Sequence, residues 1–258
     1  MSQETLTSAD LVIPDISHIV TEDDTPVDNF QSEKQQRLLV EPLYSSQIVP
    51  APFIAAANVG LFYALKQPPI VPDAFLSLRV QVPSDWSQKQ NRSYFSWEFG
   101  KMPEVCIEVV SNREGDELNR KKQLYAQIGV AYYVVFDPLR QLQESHQMNG
   151  SLLRVWRLTG GQYVELTAEQ ILNVEQSVWL ETVGVGLTLW EGEFEGVEGL
   201  WLRWCQQDGR LIPTGKERAD QEQQRADQEQ QRADQEQQRA EKLAERLRAM
   251  GIDPNEVL

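Results

Sequence analysis

Residues 105–138 read VCIEVVSNREGDELNRKKQLYAQIGVAYYVVFDP, and this stretch decides the fold. Val105 to Val110 is short, β-branched and apolar on both faces, which suits a strand buried in the middle of a sheet. Glu117 to Ile128 places Leu118, Leu124, Tyr125 and Ile128 on one side at about 100° per residue, so a helix is expected. Gly129 suits its C-terminal cap. Tyr132 to Phe136 reads as a second buried strand, closed by Asp137-Pro138. Strand, helix and strand in so short a span form a βαβ-like unit of an α/β sheet.

Working upstream, Phe53 to Leu65 is apolar and extended until Pro68-Pro69 breaks it. Asp73 to Val80 (DAFLSLRV) reads as a strand, and Ser84 to Arg92 as a polar loop. Downstream, Leu152–Leu158 and Gln162–Leu166 flank Gly160-Gly161 as a hairpin. Trp201–Cys205 and Arg210–Ile212 flank Asp208-Gly209 as another. Residues 1–35 are polar and acidic without periodicity and read as a flexible arm. The folded domain is expected over 36–214.

Residues 215–258 form a tail in which RADQEQQ occurs three times, from Arg218, Arg225 and Arg232. A period of seven predicts a helix with a supercoil tendency. One seam position holds Ala219, Ala226, Ala233, Ala240 and Leu247. The position three further on holds Glu222, Glu229, Glu236, Leu243 and Met250, so the seam is apolar only near its end. A solvated, charged helix is the reading, with a coiled-coil homodimer left open and Gly251 as the stop.

The formal net charge is −15, but it is unevenly spread: 1–33 carry −8, 34–215 carry −4 and 216–258 carry −3. The body is therefore not a basic protein. Contact with nucleic acid would need a local basic patch or a metal to offset repulsion. The two cysteines, Cys106 and Cys205, make no disulfide framework or zinc-type spacing, and Cys106 reads as a buried thiol. No export signal or run of bilayer length is visible, so a cytoplasmic protein without membrane contact is expected.

Three polar residues sit where a packed core would not want them. Alternation puts Glu108 on one face of its strand with Cys106 and Val110, and a buried carboxylate is costly unless paired, protonated or bound to metal. Asp73 opens a strand after Pro72, on a face with Phe75 and Ser77; alone it is as readily a turn or cap residue. Lys121 falls near the centre of the apolar face of its helix, with Lys122 at the edge, and an inward lysine needs an anionic partner. Glu108 can supply it. A structural Lys121–Glu108 ion pair and a lysine that snorkels outward stay open as alternatives.

Two carboxylates and an inward lysine suit hydrolysis at a hard divalent ion. Mg²⁺ takes oxygen ligands and keeps several waters, so two carboxylates and a backbone carbonyl suffice. The lysine can orient a water or stabilise charge developing on a phosphate. The lone histidines His18 and His146 support no triad or zinc site, and no glycine-rich phosphate loop appears. Trp97, Trp156, Trp179, Trp190, Trp201 and Trp204 read as core and hairpin packing.

The run from Pro72-Asp73 through Glu108, Lys121 and Tyr125 to Pro138 resembles the putative restriction endonuclease family abundant in cyanobacteria, within the PD-(D/E)XK nuclease superfamily. The resemblance covers roughly 38–212, and the heptad-like tail is similar to tails in that group. It implies a restriction-endonuclease-like central mixed sheet flanked by helices. It also implies an Mg²⁺-dependent endonuclease, Mn²⁺ being an alternative ion, that hydrolyses DNA. Asp73 and Glu108 would be the metal ligands and Lys121 the catalytic lysine. The superfamily lysine ordinarily stands two residues after the second carboxylate, where this chain has Val110, so Lys121 must reach the site from the helix. Related domains carry an acidic residue on an early helix, for which Glu41 is the nearby candidate. Tyr125 matches the family pattern and is otherwise read as core. A catalytically inactive nuclease-fold module, acting through its helical tail in binding or assembly, is the alternative.

Overall fold

A computed structural model describes residues 29–111, 113, 116–167 and 176–251. The chain divides into two compact units, 1–212 and 213–258.

Helix α1 (Phe30–Ser46) opens the first unit. Asn29 caps it, accepting from the Gln31 and Ser32 amides at 3.0 Å each. The residues from Phe30 to 35, read above as part of the arm, are therefore helical, with Ser32 and Gln35 buried; residues 1–28 lie outside those described. The helix escapes a sequence reading because Pro42 interrupts the pattern and two of its buried positions are glutamines.

A six-stranded mixed sheet follows, with β1 (Phe53–Ala57), β3 (Ala74–Leu78), β5 (Val105–Val109), β6 (Tyr132–Phe136), β7 (Leu153–Thr159) and β8 (Gln162–Glu165) in that spatial order. β5 and β6 are parallel, as the βαβ-like unit requires, and every other neighbour is antiparallel. β5 is central and wholly buried. The Gly160-Gly161 hairpin forms as expected. The expected 53–65 extension is split into β1 and the short β2 (Leu61–Phe62), which pairs in parallel with β4 (Tyr94–Phe95) just ahead of the single-turn α2 (Ser96–Phe99).

Each face of the sheet has its own core. Val105, Ile107, Val109, Val134 and Val155 pack with Leu39 and Leu43 of α1. The same cluster takes in a second sheet, β9 (Ser177–Leu180), β10 (Val185–Phe194) and β11 (Val197–Cys205). α1 is fixed to that sheet by Gln35, whose amide exchanges two hydrogen bonds with Leu202, and by the Trp204 indole, which donates to Leu39 O at 2.7 Å. On the other face Cys106, Val110, Tyr133 and Val135 pack under Tyr125 of helix α3 (Lys122–Gln127). Both cysteines are buried free thiols.

Two local expectations change. The long β10–β11 hairpin turns at Glu195-Gly196, both at positive φ, as a two-residue hairpin turn of the primed type needs. The expected 201–212 hairpin shrinks to the bridge Cys205↔Leu211 at its end. Glu117–Ile128 is not one regular helix. A π-helical turn, Glu117–Lys121, precedes α3, with the Lys121 amide bonding back five residues to Asp116 O at 3.0 Å.

In the second unit, α4 (Gly215–Ala249) runs as one helix with no buried residue. Thr214 and Glu217 close a capping box at its start, and Gly251 follows at φ +78°. No helix among the described residues is long and apolar enough to cross a membrane.

Candidate active site

The site lies where β3 and β5 part. Their antiparallel ladder pairs Leu76 with Val105, Phe75 with Cys106 and Ala74 with Ile107. Carried one step further, the register sets Asp73 opposite Glu108, and the ladder stops there. Facing residues of an antiparallel pair project to the same side of the sheet. Strand pairing thus brings the two carboxylates together from positions far apart in sequence.

Where the ladder ends, a side chain replaces the missing backbone rung. The Val109 amide donates to Asp73 Oδ2 at 2.6 Å, and Asp73 Oδ1 accepts from the Gln36 amide at 3.1 Å. Gln36 in turn accepts from Asn58 Nδ2 at 3.0 Å, while the Asn58 backbone amide donates to Asp73 O at 3.3 Å. Asp73 is therefore held from β5, from α1 and from the turn after β1. The N–H and C=O of one strand residue point the same way, so the Val109 carbonyl faces the same gap.

Glu108 is buried, at 2% exposure. Its Oε2 accepts from Lys121 Nζ at 2.9 Å and its Oε1 from the Tyr125 hydroxyl at 2.7 Å. Lys121 also reaches Glu117 Oε1 at 3.5 Å. The π-helical turn contributes to this placement, for its first residue, Glu117, is pinned by the Tyr133 hydroxyl donating to its carbonyl at 2.8 Å. π turns recur at functional sites.

Burial pushes the Glu108 carboxyl up to about 7 from an ordinary 4.5; the Lys121 ammonium opposes the rise and Asp73 adds to it. For Lys121, burial works against the charge, but Glu108 foremost, with Glu117 and Asp73, outweighs it and raises the pKa. Burial, then the Glu108 charge, holds the Tyr125 phenol well above its usual range, so it stays protonated and donates. These are two carboxylates in mutual repulsion beside one ammonium, an arrangement that favours a further positive charge between the carboxylates.

The donor set suits a hard ion that keeps its waters. Among the described residues no group of three Asp, Glu, His or Cys side chains could hold a metal, so an all-protein cage is not on offer. Asp73, Glu108 and the Val109 carbonyl could supply oxygens to an ion such as Mg²⁺ that keeps several of its waters. Each carboxylate oxygen of Glu108 has lone pairs beyond those its donors occupy.

Of the residues singled out from sequence, Asp73, Glu108 and Lys121 converge. Tyr125 is core, as read, but its hydroxyl also grips Glu108. Glu41 does not join them: it lies on the exposed side of α1, and Gln36 is the α1 residue that reaches the site. Gln36 and Asn58 were missed because nothing local marks them; only the buried setting of a Gln-Gln pair on an amphipathic helix hints at the first. Asp137 is buried and structural, accepting from the Gln141 and Leu142 amides at 2.8 Å each. His146 is exposed, and His18 lies outside the described residues.

A family model described as Uma2, Putative restriction endonuclease, matches residues 20–188. That span takes in α1, β3, β5, α3 and the whole six-stranded sheet. No curated protein matches the chain.

Proposed function

Since the chain belongs to the Uma2 family, Putative restriction endonuclease, we propose that it is a divalent-metal-dependent endonuclease hydrolysing phosphodiester bonds in DNA. The mixed α/β sheet is the restriction-endonuclease-like one. The observation that carries the reading is the parting of β3 from β5 at Asp73 and Glu108, with the Lys121 ammonium against Glu108.

Asp73 and Glu108 would hold Mg²⁺, or Mn²⁺ in its place, with the Val109 carbonyl. Such an ion, when bound, would polarise a phosphodiester oxygen and lower the pKa of a bound water. The chain's own residues do the rest. Gln36 and the Val109 amide fix the Asp73 carboxylate so that it does not reorganise as charge develops. Tyr125 sets the rotamer of Glu108. Lys121, a third exposed along its side chain, has one hydrogen left after its two carboxylate contacts and can donate it to a non-bridging phosphate oxygen or to the water. The lysine thus acts from the helix, which explains why Val110 can occupy its ordinary strand position.

A second reading, a catalytically inactive module for binding or assembly, draws on one observation: Lys121 and Tyr125 occupy both Glu108 oxygens as a closed polar cluster would. A plasmid-nicking assay separates the two. Wild type should cut with Mg²⁺ or Mn²⁺ and not with chelator, and Glu108→Gln should abolish cutting while remaining folded. A folded, metal-supplied wild type that leaves several DNA forms intact rejects the nuclease and favours the module.

A further inference from the structure

Beside the carboxylates, on the same face of the sheet, the structure holds a largely apolar cavity of about 610 Å³. Its floor is Ile54 and Phe75 of the sheet, and its walls include Val59, Tyr94 and Phe99. Phe75 is two residues along β3 from Asp73, a separation of about 7 Å on a strand. Val59 follows Asn58, which holds Asp73 through both Gln36 and its own amide. Two residues of the cavity lining therefore lie within two positions of residues at the candidate active site.

Trp86 stands at the mouth, 65% exposed. It is not there by default, since the surrounding loop is tied by its own polar groups. Asp85 accepts from the Ser87 amide at 3.0 Å and from Gln88 Nε2 at 2.9 Å, and Asn91 Nδ2 donates to Asp85 O at 2.6 Å. Arg92 donates to the carbonyls of Trp86 at 2.9 Å and Ser87 at 3.2 Å. An indole is thereby presented to solvent at a cavity that the rings of Phe75, Tyr94 and Phe99 also line.

We propose that this cavity receives an unstacked nucleobase of the DNA strand whose phosphate lies at Asp73 and Glu108, with Trp86 as the stacking surface. The proposal rests on the nuclease reading and names how its substrate is held. Stacking on aromatic rings binds bases of any sequence, and an extruded base is commonly gripped between aromatic and apolar side chains. Charge alone serves poorly here, because residues 34–215 carry a net −4. Apolar contact to the base supplies affinity that electrostatic attraction to the backbone does not. The substrate is then a strand with at least one unpaired base near the cut.

The test measures binding by fluorescence anisotropy with Ca²⁺ in place of Mg²⁺, using a labelled oligodeoxythymidylate and an abasic oligomer of equal length. Trp86→Ala should weaken oligodeoxythymidylate binding between about fivefold and a hundredfold, the stacking of one base. Trp86→Phe should restore most of it, and the abasic oligomer should bind all three proteins alike. Trp86→Ala binding oligodeoxythymidylate as wild type does, or weakening both oligomers equally, overturns the proposal, as does a wild type that binds neither. Plasmid nicking is read in parallel. Cutting with no base-selective loss rejects the pocket and keeps the nuclease; base-selective loss without cutting keeps the pocket and rejects the nuclease.

Discussion

Asp73 Oδ2 accepts the Val109 amide hydrogen at 2.6 Å, so a carboxylate stands in for the rung that β3 would have added to its ladder with β5. The bond ties the two strands together just beyond their last paired position, Ala74 with Ile107. It also fixes Asp73 beside Glu108, the next residue back on β5.

Removing either carboxylate should abolish metal-dependent nicking. Asp73→Asn and Glu108→Gln keep the shape, and the amide oxygens still accept from Val109 and Tyr125. Both variants should give native circular dichroism with no cutting above background. Residual cutting within tenfold of wild type by either variant would remove that residue from the reaction.

Lys121→Ala should cost about a hundred- to a thousandfold in the rate of cutting, the usual loss when one preorganised donor is deleted. Lys121→Arg keeps the charge but not the compact ammonium, and should recover only part of the activity. An unchanged rate in Lys121→Ala would reduce the lysine to a structural partner of Glu108.

Gln36→Ala removes the donor to Asp73 Oδ1 and leaves Asn58 Nδ2 without that acceptor. Loss of such an orienting partner typically costs about ten- to a hundredfold in metal affinity or activity. The Mg²⁺ concentration needed for half-maximal cutting should rise, with a smaller effect at saturating Mg²⁺. Glu41→Ala, on the exposed side of the same helix, should leave that concentration unchanged.

Stability without metal should carry the signature of Glu108. Its folded pKa of about 7 lies above its ordinary 4.5, so the folded state binds the proton more tightly than the unfolded state. That contribution is fully present below pH of about 4.5 and is lost as pH rises through about 7, up to about 3 kcal/mol in all. In chelator, Glu108→Gln should therefore gain stability relative to wild type between about pH 5 and pH 8. Parallel urea-denaturation curves for the two proteins across that range would contradict the assignment.

Part of this was legible along the chain. Alternation and β-branched composition mark β3, β5 and β6, and the same periodicities expose Glu108 and Lys121 as polar residues on apolar faces. The cap at Gly129 and the Gly160-Gly161 hairpin follow from backbone preferences that act over a few residues. α1 was not legible, because Gln35 and Gln36 are buried only by virtue of the Leu202 backbone and Asp73, groups remote in sequence. The start of β10–β11 was obscured likewise, with glycine and glutamate breaking the alternation in its exposed half.

Local periodicity thus dictates which segments become strands and helices and which polar side chains turn inward, since each depends only on neighbours within a turn or a pleat. Register does not. Whether Asp73 faces Glu108 depends on how β3 slides along β5, and a slip of one residue would turn Asp73 to the other side of the sheet. The choice of Gln36 over Glu41, the Tyr125 hydroxyl on Glu108 and the largely apolar cavity at Trp86 also depend on contacts between distant segments. Only packing of the whole sheet against its helices brings those segments together, and so the chemistry of the site is decided there.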